Sequence, residues 1–305
     1  MSAPAPRLRA YVLAFTTIYL VWGSTYLAIR VAVETMPPFA MAAVRFALAG
    51  ALLFAFLRLR GVASPTPRQW RDAAISGFFL LLGGNGLVTW AERTVPSGIT
   101  ALLIGSGPVF VVLVEWFWPG GRRPTLLTFF AMLLGFAGVA WLAAPWETAA
   151  GHAIDPAGAA TIVLACLSWS IGAIYGKKVR DPAPPFMAAA CQMLAGSAFL
   201  ALAAWAHGDF AAWNNSTITP KAWLAFLYLI FAGSLAGYCA FVWLVKHASP
   251  ARTATFAYVN PVVAVFLGWL ILDETILGRT VAASALIILS VILVSTARPP
   301  GPKSS

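Results

Sequence analysis

The sequence predicts an all-α polytopic membrane protein, with ten transmembrane helices arranged as two inverted five-helix repeats. Three observations carry that prediction. Hydrophobic residues make up 60% of the 305-residue chain and charged residues 10%, where a soluble domain carries about a quarter charged residues. Ten apolar runs follow one another with short connections, and each is close to the roughly 20 residues a helix needs to cross a hydrocarbon core about 30 Å thick. The second five runs repeat the first five.

The runs are justified in order. Ala10–Val33 follows Arg7 and Arg9, as a signal peptide would. It is too long for that role, lacks a convincing small-residue cleavage site and belongs to the repeat. Phe39–Leu57 begins after Pro37-Pro38 and encloses Arg45. Ala73–Trp90 carries Gly84-Asn85-Gly86, and Ser97–Trp118 is loosened by Gly105-Ser106-Gly107-Pro108. Leu126–Ala144 completes the first set. Pro156–Gly176 holds Cys166 and Trp169, and Pro185–Ala206 holds Cys191 and Gln192. Ala222–Val245 contains Gly233-Ser234-Leu235-Ala236-Gly237, a GxxxG stretch suited to close helix packing. Thr253–Leu272 carries Tyr258, Asn260 and Pro261, and Thr280–Thr296 is the last. The three cysteines all fall inside apolar runs, an odd set that suits helix packing better than a disulfide framework.

The net charge of +10 suggests nucleic acid only if its distribution is ignored. With a cytoplasmic N-terminus, 15 of the 20 Lys and Arg fall in cytoplasmic connections. Arg30, Arg93, Lys221 and Arg279 fall outside, and Arg45 stays within a helix. This bias is the positive-inside pattern. It predicts a multi-pass protein with both termini cytoplasmic, whose basic charge orients it in a lipid bilayer rather than binding nucleic acid.

An offset of 147 maps Trp22 onto Trp169 and Pro37-Pro38-Phe39 onto Pro184-Pro185-Phe186. An offset of 153 maps Gly84 onto Gly237, Trp90 onto Trp243, Pro108 onto Pro261 and Trp116 onto Trp269. A loop insertion between helices of fixed spacing accounts for the difference. The expected units are therefore residues 1–148 and 149–305, each with five spans. An odd number of spans inverts the second unit relative to the first, a common way to build a transporter with its site near the midplane.

Trp22-Gly23-Ser24-Thr25-Tyr26, then Pro37-Pro38 and Arg45-Phe46, resemble the opening of an EamA-type member of the drug/metabolite transporter superfamily. Gly84-Asn85-Gly86, Pro96-Ser97-Gly98-Ile99, Ser249-Pro250, Tyr258-Val259-Asn260-Pro261 and Asp273-Glu274 extend the likeness over nearly the whole chain. It is similar above all to the YedA-like inner-membrane permeases. The resemblance implies ten helices in two inverted repeats and export of metabolites, amino acids or toxic compounds. One departure stands out. Family members often carry an acidic residue after the fourth span as well as the ninth, and here Trp118-Pro119-Gly120-Gly121 occupies that place.

Several residues are candidates for the site. Arg45 lies about 10 Å along its helix from Pro38, where an unpaired cation is costly. It either attracts an anionic or carboxylate-bearing substrate or is structural, in an ion pair or a carbonyl clamp, for instance with Glu34 or Glu92; its repeat mate is Gln192. Asn85 and Asn260, about 18 Å and 12 Å along their helices, are substrate contacts or interhelical bridges. Trp22 and Trp169 are the aromatic cavity candidates. Trp90 and Trp243 fit interfacial anchors instead. Thr25, Ser106, Tyr238 and Tyr258 complete the proposed lining. Pro108 and Pro261 free the carbonyls of Ile104 and Ala257 and are either hinges or packing kinks.

Absent signals also weigh. A Walker loop and an HExxH zinc helix are missing from the sequence, and His152, His207 and His247 lie in connections. The expectation is therefore no enzyme, no cofactor and no metal, but a secondary transporter exporting a small amino-acid-like metabolite or toxic compound across a bacterial cytoplasmic membrane. A channel or sensor is the alternative. Proton coupling and homodimer formation stay open, because Glu34, Glu92 and Glu115 all read as close to helix ends.

Overall fold

Proline starts half of the helices. In the computed structural model, which describes residues 8–121, 123–143, 155–180, 182–248, 255–276 and 278–296, Pro38, Pro67, Pro156, Pro185 and Pro220 each occupy the first turn of a helix. A first-turn amide has no partner within the helix, so a proline there loses nothing and brings a preset φ. Thr66 adds a capping box with Gln69, Asp155 accepts from Ala157 and Gly158, and Thr219 accepts from Ala222. These signals start α3 and α8 ahead of the expected apolar runs, because capping chemistry is not apolar.

Among the described residues, the long helices are α1 (Leu8–Val33), α2 (Pro38–Leu59), α3 (Pro67–Ala91), α4 (Ser97–Phe117), α5 (Leu126–Ala143), α6 (Pro156–Lys178), α7 (Pro185–His207), α8 (Pro220–Leu244), α9 (Phe256–Leu272) and α10 (Gly278–Thr296), with a single short turn of helix, Asp209–Ala212, after α7. Among the described residues, seven helices are long and apolar enough to cross a membrane, and α5, α9 and α10 contribute shorter apolar stretches. The expected start of the ninth span, Thr253, and the boundary between the two expected units lie outside the described residues.

Successive connections alternate between two ends of the bundle. At the end where α1 begins, the near end, Tyr11 donates to the His247 carbonyl (2.6 Å) and Tyr175 donates to Asp72 (2.9 Å). At the far end, Asp209 and Glu274 meet the starts of α2 and α4, and Thr94 meets Asp155. The most extensive packing pairs are α2 with α7 and α3 with α6, followed by α5 with α10, α1 with α8 and α3 with α7. Next come α4 with α9 and α6, and α1 with α9. The largest core cluster joins α1, α2, α7 and α8 through Ile29, Met41, Phe46, Met193, Leu200 and Leu229. Large apolar side chains such as Leu13, Leu52, Phe130, Leu202 and Phe231 face outward, as lipid-facing positions must.

Among the described residues, three segments are wound more widely than an α-helix. Ile18–Trp22, Phe78–Gly86 and Leu229–Gly237 are wound as wider π turns within α1, α3 and α8. Such turns are rare and gather at functional positions. Helix α4 is broken at Ser106 between Gly105 and Gly107, so Pro108 falls in the first turn of its second piece. Pro261 instead sits inside a continuous α9. Gly208 closes α7 at φ 82°, and Asp273 closes α9 at φ 53°, a left-handed conformation rare outside glycine.

Candidate functional site

The expected site residues divide into two groups. The first forms where α1, α2, α7, α8 and α9 converge. Trp22 leaves the π segment of α1 and packs its ring among Tyr238, Phe241 and Phe256, at centroid separations of 6.4, 5.1 and 5.4 Å. Its indole donates to the Gly233 carbonyl (3.3 Å). The GxxxG stretch makes this approach possible. A Cβ on Gly237 would lie 2.5 Å from the Trp22 indole nitrogen, and one on Gly233 would lie 3.0 Å from Thr25 and 3.2 Å from Arg45. Thr25 returns its hydroxyl to the Trp22 carbonyl (2.6 Å).

Arg45 and Tyr238 join this group. Arg45 is buried, its Nε donates to Ser234 Oγ (2.8 Å), and its guanidinium lies 4.7 Å from the Phe46 ring centroid. The Tyr238 hydroxyl donates to Gln192 Oε1 (2.9 Å). The expected ion pair of Arg45 with Glu34 or Glu92 does not form. Glu34 is exposed at the end of α1, and Glu92 is outside salt-bridge range although it is fully buried. A serine hydroxyl and an aromatic face take the place of the counter-ion, while Nη1 of Arg45 is without a hydrogen-bond partner among the described residues.

The second group lies along α3, α4 and α6. Trp169 is 36% exposed and rests on α3, its ring carbon 2.9 Å from where a Cβ on Gly84 would stand. Asn85 keeps its Oδ1 buried and unpartnered among the described residues. Ser106 is buried and donates to the Leu103 carbonyl (2.5 Å). The described ring contacts join Trp22, and not Trp169, to the aromatic cluster.

Asn260 and Tyr258 belong to neither group. Oriented to satisfy its amide, Asn260 donates to the carbonyls of Phe256 (3.2 Å) and Ile18 (3.3 Å), which ties α9 to α1. In that orientation the amide bridges the two helices. The Tyr258 side chain lies outside the described residues. The two hinge prolines meet indirectly: Pro261 Cγ sits 2.9 Å from the Cβ position of Gly105, three residues before Pro108. Trp243 stacks on His247 at the near end, and Arg93 lies over the Trp90 ring at the far end.

Sequence reasoning missed three features. Ser234 was legible only as part of a glycine packing motif, yet it holds Arg45. Glu92 follows the last residue of α3 and reads as interfacial, yet it has no exposed surface. Glu274 was noted only as a family mark. Its Oε1 accepts from the Ser97 amide (2.7 Å) and hydroxyl (2.8 Å), and its Oε2 accepts from the Gly98 amide (3.0 Å). It therefore caps α4 from the end of α9, in the second half of the chain.

Comparison with known proteins bears on the whole chain. The model of the EamA-like transporter family matches residues 9–144 and again residues 156–296. The chain is similar to the uncharacterized inner membrane transporter YedA of Escherichia coli K12, at 37% identity over 92% of this chain and 89% of that one. It is also similar to the uncharacterized transporter YvbV of Bacillus subtilis, at 26% identity over 95% and 93% of the two chains. A solved crystal structure with 23% identity superposes at a TM-score of 0.63, over 95% of this chain and 98% of that chain.

Proposed function

The chain belongs to the EamA-like transporter family, and we propose that it is a secondary transporter exporting small metabolites or toxic compounds across the cytoplasmic membrane by alternating access. Residues 1–148 and 149–305 are the two inverted five-helix repeats, and both termini are cytoplasmic. The near end of the bundle then faces the cytoplasm. The observation that carries this reading is the pattern of helix pairs. Exchanging α1–α5 for α6–α10 leaves the pairs α2–α7, α4–α9 and α5–α10 unchanged and turns α1–α8 into α6–α3 and α1–α9 into α6–α4. Two inverted halves that pack in this way can rock about a shared central site.

The substrate site centres on Trp22, Thr25, Arg45 and Tyr238, with Asn85, Ser106 and Trp169 lining the adjoining α3–α4–α6 side. An aromatic wall beside an incompletely bonded guanidinium suits a small solute that carries a carboxylate, since the planar fork binds carboxylates in a defined geometry. Arg45→Gln tests this. It copies the residue that stands at the matching position, Gln192, so packing survives. In proteoliposomes, normalised to folded protein, flux of carboxylate-bearing solutes should fall at least about tenfold, the loss of roughly one charged hydrogen bond, while flux of cations is spared. Equal flux of both, at the parent level, removes Arg45 from the substrate site. For the topology, Asn214→Cys should react with an impermeant thiol reagent applied to whole cells, and Ser64→Cys should not.

A further inference from the structure

Glu92 is the polar group that the proposed site does not use. It directly follows α3, has no exposed surface, and neither carboxylate oxygen has a hydrogen-bond partner among the described residues. The neighbouring guanidinium of Arg30 is engaged elsewhere, on the Glu92 backbone carbonyl. Arg45 is near enough to act on Glu92 through its field but donates to Ser234. A bare carboxylate in such surroundings is expensive, and a buried acid without a direct partner takes up a proton instead.

The groups that bear on Glu92 come from each side of it: Tyr26 and Arg30 on α1, Arg45 on α2, and Glu274 beyond α9. Burial first, and the charge of Glu274 second, push the Glu92 carboxyl well above the usual carboxylate range, while Arg30 and Arg45 pull the other way.

Glu92 also sits beside the seal at the far end. Glu274 is held on the start of α4 by three hydrogen bonds, and Thr94, two residues after Glu92, is bonded to Asp155 at the start of α6. Opening the far end would bring water to Glu92 and remove the reason for its proton. We infer that Glu92 is a proton-binding site, protonated while the far end is sealed and deprotonated when it opens, so that the coupling ion is H⁺. This rests on the alternating-access reading above, but the proton site itself can be tested without any substrate.

The parent and Glu92→Gln, as full chains in lipid, are compared by infrared spectroscopy as a function of pH. The parent should show, at neutral pH, a protonated-carboxyl C=O band that Glu92→Gln lacks. Glu92→Asp, which keeps a carboxyl, should shift the band rather than remove it, and serves if Glu92→Gln folds poorly. A parent whose spectrum at neutral pH lacks a protonated-carboxyl band overturns the proposal. The second measurement uses Thr100→Cys, a buried position near the Glu274-capped start of α4, and follows its reaction with an impermeant thiol reagent from the far side, normalised to Asn214→Cys. The normalised rate should rise about tenfold between about pH 6 and about pH 9 in the Glu92 background and stay flat with Glu92→Gln. A rise of equal size in both backgrounds separates opening from Glu92 and overturns the coupling. A protonated band without any pH-dependent opening overturns it equally, while alternating access would still stand.

Discussion

At the far end, Asp209 and Glu274 each set a carboxylate on the start of a helix from the first half of the chain, whereas at the near end the cross-links among the described residues are made by phenol hydroxyls. Asp209 Oδ2 accepts from the amides of Phe39 (2.7 Å) and Ala40 (3.0 Å), and its other oxygen meets His207. Glu274 does the same for Ser97 and Gly98. The near end offers Tyr11 on the His247 carbonyl and Tyr175 on Asp72. A hydrogen bond to a charged group is worth about 1.5–3 kcal/mol and a neutral one about 1 kcal/mol, so Tyr175 on the Asp72 carboxylate counts with the charged ones; what sets the far-end carboxylates apart is their place at a helix start, a further 0.3–1 kcal/mol or so. The difference teaches that the two ends, built from similar helices, cost different amounts to separate. The position related to Glu274 by the 153-residue offset is Gly121, which has no side chain to cap anything.

The comparison can be broken most directly at Asp209. It is buried, so Asp209→Ala leaves two helix-start amides without their acceptor and should cost about 3 kcal/mol, read as a lower unfolding midpoint of the purified protein. Glu274→Ala should cost about 2 kcal/mol, because its site is partly open to solvent. It should also raise thiol labelling of pocket positions from the far side. If both variants are as stable as the parent, the far end is not the stronger one. At the near end, Tyr175→Phe should cost about 1 kcal/mol or less and speed labelling from the cytoplasmic side. The smallest effect is one of pH. Hydrogen bonding from Thr94 holds the Asp155 carboxyl below the usual carboxylate range, with the Ala157 and Gly158 amides adding to it against desolvation. Its contribution is present above the unfolded value of about 4 and disappears as pH falls through the lowered value. Thr94→Val should flatten that acid dependence.

Much of the fold was legible because it follows from apolar length and from proline position, both written locally. The start of α3 at Pro67 was not, since Thr66 and Gln69 act through capping rather than hydropathy. The site was legible in part. A lone Arg in an apolar run announces Arg45, but the hydroxyl that holds it comes from Ser234, 189 positions away, and no local pattern marks that partner. Asn260 shows the same limit, since an amide in mid-helix looks alike in sequence whether it meets a solute or the Ile18 carbonyl. Glu92 was read as interfacial because a run of apolar residues ends beside it, while its burial comes from elements that the run does not contain.

The wide turns in α3 and α8 have a mechanical meaning. A π turn takes in more residues than an α turn and advances less for each one, so a helix containing it is a rod with slack wound into its middle. Converting the nine-residue segments Phe78–Gly86 and Leu229–Gly237 to α winding would lengthen each rod while every amide exchanges one carbonyl for its neighbour. Asn85 rides on one segment and Ser234 on the other. Drawing out the slack would roll both around their axes, releasing the clasp on Arg45 without the bundle having to come apart.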